Sequence, residues 1–178
     1  MDLEKLKYPI GKIQIPTIIT AEHISNWITI LENFPVLLEN LVTNLSPSQL
    51  NTPYRPGGWT IRQVIHHLAD SHHNSYTRFK WTLTEDQPVI KTYYEDRWAE
   101  LFDSKTAPIK LSLDSLKALH AKWTYFLKGL TVADLEQIFI HPDGNEKVSL
   151  KENIGIYAWH CNHHYAHIEQ LMIREGWK

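Results

Sequence analysis

Eight of the eleven histidines lie in two short runs, His66-His67-Leu-Ala-Asp-Ser-His72-His73 and His160-Cys-Asn-His163-His164-Tyr-Ala-His167. Neutral imidazole is the commonest protein ligand for zinc and also suits nickel, copper and iron. Residues four apart on a helix project from the same side, so a pair from one run and one ring from the other would chelate a single cation. Three such nitrogens leave a tetrahedral ion one open position, as in catalytic rather than structural sites. An ion held that way lowers the pKa of bound water to about 7, or stabilises a bound thiolate, and so produces a nucleophile at neutral pH.

Spacing does not choose the ligands, because His160/His164 and His163/His167 are both four apart. Facing direction does. On a helical wheel Ile154, Ala158, Cys161, Tyr165, Ile168 and Met172 form the apolar stripe of the last run. His164 lies beside that stripe, next to Tyr157 and Leu171, and His160 one step further round, while His163 and His167 point to the polar side. In the earlier run His66 falls opposite the stripe, His67 near its edge with Ser71, and His72 inside it. The expected ligands are therefore His67, His160 and His164, with His72 as competitor for the first place. His66, His73, His163 and His167 read as core or surface residues, with room for hydrogen bonds to substrate or ligands. His23 and His120 read as packing or surface residues, Cys161 as a buried structural thiol, and Asp70 as a solvated or capping carboxylate. Trp59 and Trp159 flank the ligand-bearing segments and are placed to wall a pocket. No catalytic general base is assigned.

The elements that must position these rings are helical. Residues 1–19 hold Pro9, Gly11 and Pro16 and read as an extended N-terminal arm. Ile24, Trp27, Ile28, Leu31, Leu38, Leu41 and Leu45 recur at helical spacing, with Pro35 expected to kink the helix. Ser46-Pro47 suggests a short turn, and Thr60 is the expected N-cap of a second helix of about 24 residues. Residues 85–111 read as a long crossover with a short helix around 94–102. Leu113, Leu116, His120, Trp123, Leu127 and Leu130 mark a third helix. Pro142-Asp143-Gly144-Asn145 separates two short stretches that can pair as a hairpin, and Ser149 with Glu152 forms a capping box for a last helix to about Arg174. The fold class expected is all-α: a four-helix bundle with a long crossover and a small β-hairpin before the last helix.

A chain of 178 residues fits one domain spanning 1–178, large enough to bury roughly 70% of its unfolded surface without help from a metal. The 18 basic and 20 acidic residues leave a net charge of -2 and offer no electrostatic case for nucleic acid or an anionic membrane as partner. One cysteine excludes an internal disulfide, the start lacks the pattern of a signal peptide, and no apolar run approaches the roughly 20 residues of a membrane span, so a cytoplasmic location is expected. His-Glu-x-x-His, Gly-x-Ser-x-Gly and phosphate-cradling glycine loops are all missing, which excludes zincin proteases, α/β-hydrolases of that signature and P-loop enzymes.

Tyr8-Pro-Ile-Gly, Thr52-Pro-Tyr-Arg-Pro-Gly-Gly-Trp-Thr-Ile-Arg-Gln-Val-Ile-His-His-Leu-Ala-Asp-Ser, Asp103-Ser-Lys-Thr, His141-Pro-Asp and Trp159-His-Cys-Asn-His-His-Tyr-Ala-His-Ile resemble the YfiT branch of the DinB-like superfamily nearly end to end. The resemblance implies a DinB-like four-helix bundle, a homodimer, and one zinc or nickel ion per subunit held by three histidines that map to His67, His160 and His164. It also implies a metal-dependent hydrolase acting on a small-molecule substrate. Related DinB-like proteins resemble thiol S-transferases, so a bacillithiol-type low-molecular-weight thiol is the alternative nucleophile at the same centre. A third reading, a non-enzymatic metal-binding stress-response protein, requires a closed site with a fourth ligand such as His163 or Cys161.

Overall fold

The computed structural model describes residues 2–178. Four long helices make the bundle: α2 (Ala21–Val42), α4 (Ile61–Thr82), α7 (Ile109–Lys128) and α9 (Leu150–Arg174). The short helices are α1 (Leu3–Lys7), α3 (Pro47–Leu50), α5 (Glu95–Ala99), α6 (Phe102–Thr106) and α8 (Val132–Leu135). Strands β1 (Ile138–His141) and β2 (Glu146–Ser149) form the antiparallel hairpin. The expected all-α bundle with a hairpin is therefore the fold. Helices α2 and α4 each pack chiefly on α7 and α9, so the consecutive pairs α2/α4 and α7/α9 sit across the diagonals.

Local chemistry sets the ends of the helices that carry the histidines. The Thr60 hydroxyl accepts from the Gln63 amide, while the Gln63 side chain accepts from Thr60 N–H at 2.9 Å. Ser149 and Glu152 close the same reciprocal box at the start of α9, satisfying amides that have no partner within the helix. Because Ser149 also ends β2, the hairpin feeds directly into α9. The crossover is tied to the hairpin in turn: Ile90 N–H donates to the Ile140 carbonyl at 3.0 Å, and Ile140 N–H to Pro88 at 2.9 Å.

Leu31, Phe34, Leu38, Ile65, Leu68, Leu116, Trp123, Ile154, Cys161 and Ile168 form the centre of the core. Gly155 lets α2 approach α9 closely. A Cβ there would lie 2.9 Å from the Trp27 ring and 3.0 Å from Ile15 of the arm.

The elements differ from expectation at three places. The arm is not extended throughout: α1 occupies Leu3–Lys7, capped by the Asp2 carboxylate, because the helix-breaking residues begin only at Pro9. Met1 of that arm lies outside the described residues. The crossover holds two short helices rather than one, and α7 begins at Ile109, directly after Pro108. Finally, Thr131 and Asp134 close a capping box that starts the unexpected short helix α8. No described helix is long and apolar enough to cross a membrane.

Candidate metal centre

His67 on α4 and His160 and His164 on α9 converge, each offering a ring nitrogen within 4.8 Å of the other two. The Nε2 atoms of His67 and His160 face each other at 3.2 Å. That is close to the roughly 3.3 Å between two nitrogens bound about 2.0–2.1 Å from a tetrahedral ion. Neither Cys161 nor His163 belongs to the group. Cys161 is buried in the apolar stripe as expected, and burial pushes its thiol up.

Hydrogen bonds decide which nitrogen of His160 is bare. The Leu31 carbonyl can only accept, so His120 Nδ1–H donates to it at 2.6 Å. Neutral His120 then presents a lone pair on Nε2, which accepts from His72 Nδ1–H at 2.7 Å. His72 Nε2 accepts in turn from His160 Nδ1–H at 3.0 Å. The chain ends with the lone pair of His160 Nε2 directed at His67.

A second chain reaches His164 from outside the bundle. His167 Nε2–H donates to the Lys7 carbonyl at 2.9 Å, leaving its Nδ1 to accept from His164 Nδ1–H at 3.4 Å. His164 Nε2 is thereby bare as well. Burial holds the rings neutral, the form that ligates. Desolvation pushes His67, His120 and His167 down to about 4, and carries His72, His160 and His164 well below the usual histidine range. Two bare imidazole nitrogens converging on a third ring fit a divalent cation as the group that belongs among them.

The other histidines sort by what covers them. His72, the competitor for the third ligand, spends both nitrogens on His120 and His160 and stands behind the trio. His163 and His167 do not face solvent, being only 7% and 3% exposed. Tyr54 of the α3–α4 connection stacks on His167 at 4.0 Å, the arm supplies Tyr8 and the Lys7 carbonyl, and Trp159 stacks on His163 at 4.3 Å. His66, opposite the apolar stripe, is likewise buried, because Ser112 and the Ala107 carbonyl come over it at 2.7 and 3.2 Å. His73 is exposed, and His23 closes the N-terminal box of α2. Asp70 is only half-buried, and desolvation, then Asp103, pushes its carboxyl up to about 6.

The trio opens on a cavity of about 520 Å³ walled by Trp59 and Trp159, as expected, and reached by Tyr93 from the crossover and His141 from the hairpin. The sequence reading missed Arg78 and Tyr157, which line it too. Arg78 continues the α4 face of His67 and Ser71, a signal that helical periodicity carries.

Residues 30–168 match the model of the DinB superfamily. The chain is 51% identical over 171 residues to the Oceanobacillus iheyensis protein named "Putative metal-dependent hydrolase OB0782", covering 96% of this chain and 98% of that one. It is 49% identical over 172 residues to Bacillus subtilis YfiT, covering 97% of each chain. The solved structure of YfiT, described as "a probable metal-dependent hydrolase with an unusual four-helix bundle topology", matches with a TM-score of 0.96 over 98% of this chain and 99% of that one.

Proposed function

The chain belongs to the DinB superfamily, and on that premise we propose that it is a metal-dependent hydrolase whose zinc or nickel ion is held by His67, His160 and His164. The observation that carries this reading is the convergence of three ring nitrogens within 4.8 Å, with the His160 lone pair aimed into the gap by its neighbours. Bound there, the ion would supply Lewis acidity and a water nucleophile at neutral pH, for attack on an electrophilic carbon of a small molecule. His72 and His120 hold His160 in its ligating tautomer, and His167 does the same for His164. Trp59 and Trp159 wall the cavity, and Tyr157, whose hydroxyl donates to the Ser71 carbonyl at 3.2 Å, lines it as well. We take the working unit to be a homodimer with one ion per subunit.

A second reading, a thiol S-transferase in which a low-molecular-weight thiol is the nucleophile, draws on the cavity's size. Its volume of about 520 Å³ has room for a co-substrate beside a small electrophile. Metal analysis of the purified chain, followed by turnover of electrophiles with and without a small thiol, tests both. Stoichiometric zinc or nickel that is lost in His160→Ala and kept in His163→Ala, with thiol-independent turnover, is the expected result. Turnover only in the presence of thiol overturns hydrolysis in favour of transfer, and unchanged metal content in His160→Ala overturns the ligand assignment.

A further inference from the structure

Three buried polar atoms without a hydrogen-bond partner belong to residues that line the metal-centre cavity: Arg78 Nε, Trp159 Nε1 and His163 Nδ1. Arg78 is the one that carries charge. Its guanidinium is always protonated, and it takes part in none of the described ion pairs. A buried donor of a charged group left unpaired is costly, and such groups are retained where a ligand completes them. The cavity's other arginine is already engaged, since Arg55 donates to the Tyr54 hydroxyl and the Pro56 carbonyl. Glu95, Asp96 and Asp143 also line the cavity, but all three are exposed at its rim, and none comes within ion-pairing distance of Arg78.

We propose that Arg78 seats an oxyanion, a carboxylate or phosphate, carried by the substrate of the metal centre. The planar fork of a guanidinium matches both anions, and partial burial strengthens the pairing. Position adds a constraint on the substrate's shape. Arg78 follows His67 by eleven residues on the same helix, a rise of about 16 Å, and a helical side chain leans back toward the N-terminus and so toward the trio. The anionic group is therefore on an arm, several bonds from the atom that reacts. Compact electrophiles with the carboxylate on the reacting carbon do not reach both places. This inference rests on the metal-centre reading for the other end of the substrate, while the anion seat itself is measurable separately.

The test titrates the full-length, metal-loaded chain with inorganic phosphate and, separately, with acetate, following tryptophan fluorescence and calorimetric heat. Wild type should bind at least one anion saturably. Arg78→Met should weaken that binding by about tenfold or more, and Arg78→Lys should recover part of it as a point charge without the fork. Metal content should remain stoichiometric in both variants, and His160→Ala should keep the Arg78-dependent binding. Whichever anion loses more in Arg78→Met is the chemistry the seat prefers. No saturable binding to wild type, unchanged binding in Arg78→Met, or binding lost in His160→Ala and kept in Arg78→Met would each overturn the proposal, the last because the anion then sits on the metal. Should wild type carry no metal, the hydrolase reading fails, while the anion titrations still decide the role of Arg78.

Discussion

The two imidazole chains behind the trio end in different kinds of anchor. The one behind His160 runs through His72 and His120 to the Leu31 carbonyl, entirely inside the bundle, with separations of 3.0, 2.7 and 2.6 Å. Its rings pack on Phe34, Trp123 and Tyr157, and its far end is a backbone group of α2. The one behind His164 has a single intermediary, His167, a longer first contact of 3.4 Å, and ends on Lys7, the last residue of a five-residue helix in the N-terminal arm. A core carbonyl moves only if the bundle opens, whereas a short peripheral segment detaches locally at far smaller cost. The same tautomer is thus enforced rigidly on one ligand and conditionally on its neighbour four residues away.

The largest effect should come from breaking the core chain. His120→Phe keeps an aromatic ring but removes the anchor of His72, and metal affinity should fall by about 10–100-fold, the range expected for lost support of a ligand. Competition with a chromophoric chelator measures it, and circular dichroism checks that the helices persist. His167→Phe, which cuts the arm chain, should lower affinity by less than about tenfold. If that order is reversed, the arm and not the core carbonyl is the stiffer anchor.

A smaller difference should appear in the acid response of the metal-free chain. Burial pushes His120 and His167 from 6.5 down to about 4 in the folded state, so between those values the unfolded chain binds more protons than the folded one. Their contribution to stability is complete above pH 6.5 and is lost as pH falls toward about 4. Replacing either by Phe should remove up to about one proton from the slope of stability against pH across that window. Denaturant unfolding at a series of pH values measures the slope, and a slope unaltered in both variants would mean that neither ring is held neutral by burial.

Much of this architecture was legible in the sequence because the relevant forces are local. Thr60, Ser149 and Glu152 announce their helix starts through capping, and Pro142-Asp143-Gly144-Asn145 announces the hairpin turn between β1 and β2. The trio was legible because both runs put their rings at computable angles to an apolar stripe. The same wheel misjudged His66, His163 and His167, since it knows only the face opposite the core. Segments distant in sequence cover that face: Ala107 and Ser112 over His66, Tyr54 and the arm over His167. His120 illustrates the same limit, because a histidine on α7 gave no sign that it would bridge the Leu31 carbonyl to His72.

The sequence alone therefore determined the four long helices, the caps that start α4 and α9, and the direction in which each clustered histidine leaves its backbone, since these follow from nearest-neighbour geometry and hydrophobic periodicity. Only the tertiary structure decided which nitrogen of each ring is bare, which histidines are buried, and where Arg78 stands unpaired. Those properties depend on carbonyls and side chains brought together from up to 160 residues away, and no local pattern records such meetings.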